Sequence, residues 1–216
     1  MESGPQPSEE TAARLREFAK QGGIYLTDEQ IGALASYLAL LKKWNATHNL
    51  TAVDDFQRAW AVHILDSLSL LPLLRGAKTM IDVGSGAGLP GIPIAVAMPD
   101  LKVTLLDSNG KKSAFQRAVV GELNLGNVSV VNGRAEAFAS GEFDVVASRA
   151  LAELADFARL TKHMLRRGGK WLAMKGVYPW EELPEVAAEG ATVVEVVKTQ
   201  VPGLGQERHV VVMGLP

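Results

Sequence analysis

Thr79-Met-Ile-Asp-Val-Gly-Ser-Gly-Ala-Gly-Leu-Pro-Gly91 is the stretch that decides how this 216-residue chain is read. Met80, Ile81 and Val83 form a short apolar run of strand-like residues. Glycines follow at 84, 86, 88 and 91, and residues 92–98 then read as a buried helix. Strand, glycine turn and helix together bring bare backbone against a nucleotide-like ligand, because glycine has no Cβ to hold it off. Gly86-x-Gly88-x-x-Gly91 matches the dinucleotide fingerprint, a pattern too short to decide the ligand by itself. Asp82, inside the strand, narrows the choice. A carboxylate there repels a pyrophosphate and suits a cationic centre carrying sugar hydroxyls. S-adenosylmethionine, a sulfonium joined to adenosine, is such a ligand. A nicotinamide or flavin nucleotide, and a turn that binds nothing, are the alternatives.

Working outward, strand and helix alternate after Gly76. Strands are expected at 103–107, 128–131, 143–147 and 169–174, with helices at 110–125, near 135–138, at 151–165 and at 180–188. The 110–125 helix should bury Ala114, Phe115, Ala118, Val119 and Leu123, and the 151–165 helix Leu151, Leu154 and Leu165. Repeated β-α units imply a parallel sheet with helices on both faces. Two last strands, 192–197 and 208–213, have no helix between them and can pair antiparallel at one edge. Before Gly76 the pattern is helical: residues 8–22, then a helix capped by Thr27 and ending near Asn45, then 56–74. Residues 1–8 are polar and expected to lack fixed structure. The chain therefore divides into an N-terminal helical extension, 1–75, and an α/β domain, 76–216.

Composition sets limits. At 47% hydrophobic the chain can bury a sizeable core, yet no apolar run reaches the ~18 residues a membrane helix needs. The first ten residues have no signal-peptide character. The absence of cysteine excludes disulfides, thiolate metal sites and cysteine nucleophiles, and agrees with a cytoplasmic location. A net charge of −2 means that any nucleic-acid contact must come from a local patch. The four histidines, 48, 63, 163 and 209, show no metal-ligand spacing. A monomer without metal is expected.

Ligands of open α/β sheets bind beyond the carboxyl ends of the strands. Gly84, Gly86 and Gly88 stand there, with Leu89. Asp107 ends the next strand, where a carboxylate can accept ribose hydroxyls. Ala135 and Glu136 follow the third strand, where an adenine would lie; an acid in a helix's first turn is the plainer reading of Glu136. Ser148-Arg149-Ala150 follows the fourth strand and faces the substrate side. Enzymes that methylate exocyclic amines often carry Asn/Asp-Pro-Pro-aromatic here, and this chain has no Pro-Pro. It also has no cysteine for attack on a pyrimidine. Those absences favour an acceptor that needs no activation, such as guanine N7, with catalysis by positioning and electrostatics. Arg149 and Lys175 are the substrate-side candidates. Arg159, Lys162, Arg166, Arg167 and Lys170, with Lys111, Lys112 and Arg117, make a basic run that is either a solvated face or an RNA track.

Several longer segments carry a resemblance. Lys43-Trp-Asn…Asn49-Leu-Thr, His63-Ile-Leu-Asp-Ser67, Asp82-Val-Gly-Ser-Gly-Ala-Gly-Leu-Pro-Gly-Ile-Pro93, Leu106-Asp-Ser…Lys111-Lys, Arg134-Ala-Glu136, Ser148-Arg-Ala150 and Gln206-Glu-Arg-His209 occur in this order. Together they resemble the bacterial small-subunit ribosomal RNA methyltransferase G family, formerly called glucose-inhibited division protein B. The resemblance runs over nearly the whole chain from about residue 10. It implies a Rossmann-like class I SAM-dependent methyltransferase sheet, mostly parallel with the last strand antiparallel. It also implies methylation of a guanine N7 in 16S ribosomal RNA, on free RNA or on the small subunit. Its cofactor positions carry over onto Gly84, Leu89, Ala135, Glu136 and Arg149, and the ribose acid of similar enzymes onto Asp107. A non-catalytic nucleotide- or RNA-binding module is the alternative.

Overall fold

A computed structural model describes residues 8–21, 25–53, 55–139, 141–149 and 151–216. Residues 1–7 of the expected unstructured start, 1–8, and the glycines expected to end the first helix lie outside these residues. Among the described residues, seven strands form one sheet in the order β3-β2-β1-β4-β5-β7-β6. They are β1 Thr79–Val83, β2 Lys102–Asp107, β3 Val128–Asn132, β4 Phe143–Arg149, β5 Leu165–Lys175, β6 Thr192–Thr199 and β7 Arg208–Gly214. β1 to β5 pair in parallel. β7 runs antiparallel between β5 and β6. Strand order reverses at β1/β4, the place where open sheets of this kind leave a crevice.

Side-chain alternation divides the sheet into two faces. Met80, Leu105, Val145, Leu172 and Val210 join one apolar cluster with the helices of the first 75 residues and with α5 and α6. Those helices are α1 Glu9–Gln21, α2 Asp28–His48, α3 Phe56–Ala59 and α4 Asp66–Leu68, followed by α5 Gly91–Ala97 and α6 Gly110–Glu122. Ile81, Leu106, Val146, Trp171 and Val211 face the other way, onto α7 Leu154–Thr161. Trp171 Nε1 donates to Thr161 Oγ1 at 2.9 Å, which pins α7 to the sheet without an unmet buried donor.

α2 starts where the sequence places it. Thr27 and Gln30 form a reciprocal capping box, with Gln30 N–H to Thr27 Oγ1 at 3.2 Å and Thr27 N–H to Gln30 Oε1 at 2.9 Å. It runs past Asn45 to His48 and ends on Asn49 in the left-handed region, φ 48°. The expected single helix over 56–74 is broken instead. Trp60–Leu65 is π-helical, and after Ser69-Leu70 the chain continues as a 3₁₀ turn, Leu71–Leu74. A π segment inside a helix marks a place where packing overrides regular hydrogen bonding, often at a functional site.

Further differences fall near the carboxyl end of the sheet. α7 begins at Leu154, not 151, and Leu165 already belongs to β5. Leu151 is 38% exposed rather than inward. In α6 the buried positions include Ser113 and Gln116, while Ala114 is exposed. Gln116 is buried because it serves the glycine turn, as set out below. The helix expected over 180–188 is a 3₁₀ segment, Leu183–Glu189.

Candidate cofactor cleft

A cleft of about 380 Å³ opens over the carboxyl ends of β1, β2 and β3. Val83 and Gly84 form its floor with Leu106 and Asp107; Gly133–Glu136 and Leu160 form its walls, and Leu151 one end. Of the positions expected from sequence, Gly84, Asp107, Ala135 and Glu136 meet here. Gly84 has φ +69°, and a Cβ on it would stand 2.5 Å from Leu151 Cδ1. The floor is therefore bare backbone by necessity.

Asp107 is tied to the turn on both oxygens. Gly86 N–H donates to Oδ2 and Asn109 N–H to Oδ1, each at 2.8 Å. A carboxylate has about four lone-pair sites, so two remain for hydroxyl donors. Asn109 also caps α6, accepting from Lys111 N–H at 3.0 Å. Strand end, turn and helix start thus share one small set of side chains. Gln116 completes the set from below. Its Nε2 donates at 2.8 Å to both Ser85 Oγ and the Gly86 carbonyl. Tyr37, from α2, donates its hydroxyl to the Ala87 carbonyl at 2.9 Å. Burial raises the Tyr37 pKa far above the ordinary range, so it stays a neutral donor.

Asp82 has a different place from the one its spacing suggests. It is fully buried beneath the turn, where Oδ2 accepts from Gly91 N–H at 2.8 Å and Oδ1 has no partner among the described residues. Burial lifts its pKa to about 7, against the Gly91 hydrogen bond and the charge of Arg149. Its carboxyl supports the start of α5 and lies outside the cleft lining. Leu89 is buried in the apolar cluster. A Cβ on Gly88 would meet Ile92 Cδ1 at 2.2 Å. Gly86, Gly88 and Leu89 therefore shape the turn from outside the cleft wall.

Arg149, at the end of β4, reaches across to the π-helical segment. Its Nη1 donates to the Val62 carbonyl at 3.0 Å and lies 3.6 Å from Asp66 Oδ2. Arg208, opening β7, holds the other Asp66 oxygen at 3.2 Å. Asp66 is 2% exposed, and its burial raises its pKa even with two guanidinium groups beside it. His63 Nε2 meets Thr51 Oγ1 at 3.0 Å; burial and Arg149 lower its pKa to about 4, so it is neutral at pH 7. Asp66 had only its helical neighbour His63 to suggest a role in sequence; its arginine partners lie on two other elements. Lys175 bonds Glu182 at 2.6 Å and 2.9 Å and the Ala152 carbonyl at 3.1 Å.

The basic run is mostly elsewhere. Arg166 and Arg167 lie at the amino end of β5, the opposite end from the cleft. Arg166 pairs with Asp144 at 2.6 Å and Arg159 with Asp156 at 2.5 Å. Lys112 and Arg134 are the cations that line the cleft itself. Among the described residues there is no cluster of three metal-ligating side chains, and no helix long and apolar enough to cross a membrane.

This sheet order, with its antiparallel β7 and a glycine turn and acidic strand end under one cleft, defines a class I S-adenosylmethionine-dependent methyltransferase fold. Solved structures agree at the level of fold. A SAM-dependent methyltransferase from Aquifex aeolicus superposes with a TM-score of 0.61 at 20% identity, covering 76% of this chain and 96% of that one. A glycopeptide N-methyltransferase gives 0.62 at 15% identity, covering 74% and 100%. Sequence goes further. The family model described as rRNA small subunit methyltransferase G matches residues 30–211. Proteins named ribosomal RNA small subunit methyltransferase G from Chromobacterium violaceum and Neisseria meningitidis serogroup B are 51% and 50% identical over 204 residues, 94% of this chain and 97% and 98% of theirs. The chain belongs to the rRNA small subunit methyltransferase G family.

Proposed function

We propose that this chain methylates N7 of a guanine in the 16S RNA of the small ribosomal subunit, using S-adenosylmethionine. The supporting observation is the cleft over β1–β3, where Gly84 offers bare backbone and Asp107 a carboxylate with lone pairs to spare. The residues present fit the cofactor. Gly84 and the backbone beside it take the methionine end, Asp107 the ribose, and Ala135 with Glu136 the adenine. Gly86, Gly88 and Leu89 hold the turn in shape. Arg149 stands at the border of cofactor and acceptor, with Lys175 behind it. When bound, the cofactor supplies an electrophilic methyl on a sulfonium.

A guanine N7 carries a free lone pair and loses no proton on methylation, so no general base is required. The chain's own contribution is orientation and exclusion of water. Asp66 fixes the Arg149 guanidinium rather than touching substrate. Residues 1–75 serve as an extension that braces the site: Tyr37 holds the turn, and Gln30 donates to the Val96 carbonyl of α5 at 2.9 Å. With ribosomal RNA as the acceptor, this reading carries a cytoplasmic site of action with it. The test is transfer of labelled methyl to small subunits lacking native modification, with the modified base mapped. A single N7-methylguanine is expected; label on protein, or on another base atom, contradicts the assignment.

A further inference from the structure

Beyond β5 the chain makes an aromatic turn that the cofactor cleft does not use. Val177 and Trp180 are 73% and 72% exposed. The Trp180 ring is held: its centroid lies 4.1 Å from that of Tyr178, at 36°. Tyr178 in turn meets the buried His209 ring edge-on at 5.5 Å. His209 Nδ1 is buried with no hydrogen-bond partner among the described residues. Pro179 is buried, and the Lys175–Glu182 pair ties the ends of the turn together. A fixed aromatic pair left open to solvent marks a surface that takes a partner.

The aromatics border a second cleft, about 460 Å³, whose lining includes Glu153, Glu181 and Glu185. Its lining comes within two residues of that of the cofactor cleft. Leu151 lines one cleft and Glu153 the other, and Ala152 between them accepts from Lys175. Carboxylates without a lining arginine disfavour a phosphate backbone and favour hydrogen-bond donors and positive charge.

Resting on the methyltransferase reading above, we infer that this second cleft receives the acceptor guanine, unstacked from the RNA. The base lies on Trp180 and Tyr178, and a lining carboxylate accepts its Watson–Crick N1–H and N2–H. Unpaired RNA bases are commonly held by aromatic stacking and edge hydrogen bonds. Guanine presents two adjacent donors on that edge, matching the two oxygens of a carboxylate; adenine presents a donor beside an acceptor. With that edge held, N7 on the opposite side of the ring stays free. In the transfer the N7 lone pair forms the bond to the methyl carbon. The carbon–sulfur bond breaks with its pair kept on sulfur, and no proton moves. Positive charge passes to the purine, where aromatic faces and carboxylates hold it better than the neutral base.

The test uses the full chain with S-adenosylhomocysteine bound and tryptophan fluorescence as readout. 7-Methylguanosine should quench at lower concentration than guanosine, and adenosine least of all. Trp180→Phe should remove the fluorescence change. The triple variant Glu153→Gln, Glu181→Gln, Glu185→Gln should abolish the preference for the methylated nucleoside. On unmodified small subunits, Trp180→Ala should lower kcat/KM for methyl transfer by about 10- to 100-fold. Its S-adenosylhomocysteine affinity and melting temperature should not change, and Trp180→Phe should restore most of the rate. Full transfer activity in Trp180→Ala with no nucleoside-dependent quenching in the wild type overturns the inference. So does a Trp180→Ala enzyme that fails on subunits yet methylates protein-free RNA normally, since the turn would then dock a ribosomal protein. If the wild type methylates no ribosomal RNA, the functional reading fails, and the nucleoside titration still decides the cleft.

Discussion

The candidate cofactor cleft and the proposed acceptor side stand next to each other at one end of the sheet, yet they are built in different ways. Over β1–β3 the parts are chain neighbours or backbone: Gly86 and Asn109 N–H groups hold Asp107, and the turn follows its strand without an intervening loop. Beyond β4 the parts are side chains from distant elements. Arg149 and Arg208 meet on Asp66, and Lys175 meets Glu182 and the Ala152 carbonyl. Backbone-built sites leave local patterns in a sequence. Sites built from paired charges leave residues that look like ordinary surface ions.

The comparison can be broken by attacking each side in turn. Gly84→Val should have the largest effect. A branched residue at φ +69° is strained by about 1–3 kcal/mol, and its Cβ overlaps Leu151. Calorimetry with S-adenosylhomocysteine should show affinity falling roughly 100-fold. Unchanged affinity would mean that the cofactor does not lie on this backbone.

Asp82 gives a pH test of the layer beneath the turn. Its folded pKa of about 7 lies above the ordinary 3.8, so the folded state binds more protons between those values. Stability should fall as pH rises from about 4 to 7, by a few kcal/mol in all. Asp82→Asn keeps an acceptor for Gly91 N–H and should flatten that fall in chemical denaturation. His63 works in the opposite sense. Its pKa drops from 6.5 to about 4, so its contribution is lost as pH falls through that window, and His63→Gln should remove the loss. A wild-type profile that neither variant alters would contradict both assignments.

Asp66→Ala should cost about 2–3 kcal/mol, less than a fully buried pair because both arginines keep some solvent contact. Asp66→Asn should cost less. A melting temperature unchanged in Asp66→Ala would show that the two arginines are not organised by it. Gln116→Leu should have the smallest effect, about 1–2 kcal/mol, from two lost hydrogen bonds to the glycine turn. Loss of cofactor affinity larger than this stability change would mark Gln116 as part of the cleft.

Much of the fold was readable because its signals were short-range. The βα alternation, the Thr27 cap and the helix-free pair β6 and β7 each follow from residues within one or two turns. The insertion of β7 between β5 and β6 is a register of backbone partners that no local pattern carries. In the site, the sequence places Gly84, Asp107, Ala135 and Glu136 at strand ends, and these four meet. Asp82 shares their end of the sheet but lies buried beneath the turn against α5, outside the cleft lining; its alternation with Met80, which joins the apolar cluster on that face, could have shown it. Ser113 and Gln116 had a signal as well: two polar residues three apart on the face that holds Val119. The π-helical segment at Trp60–Leu65 had none; there Arg149 of β4 bonds the Val62 carbonyl and Arg208 of β7 bonds Asp66 just beyond it.

The most direct measurement is calorimetric binding of S-adenosylhomocysteine and of NAD to the wild type and to Asp107→Ala. The wild type should bind S-adenosylhomocysteine and not NAD, and Asp107→Ala should weaken that binding at least about tenfold, the worth of one hydrogen bond to a charged group. Equal affinity in the variant, or NAD binding as well as S-adenosylhomocysteine, would contradict the placement of an adenosyl cofactor over the first turn of the sheet.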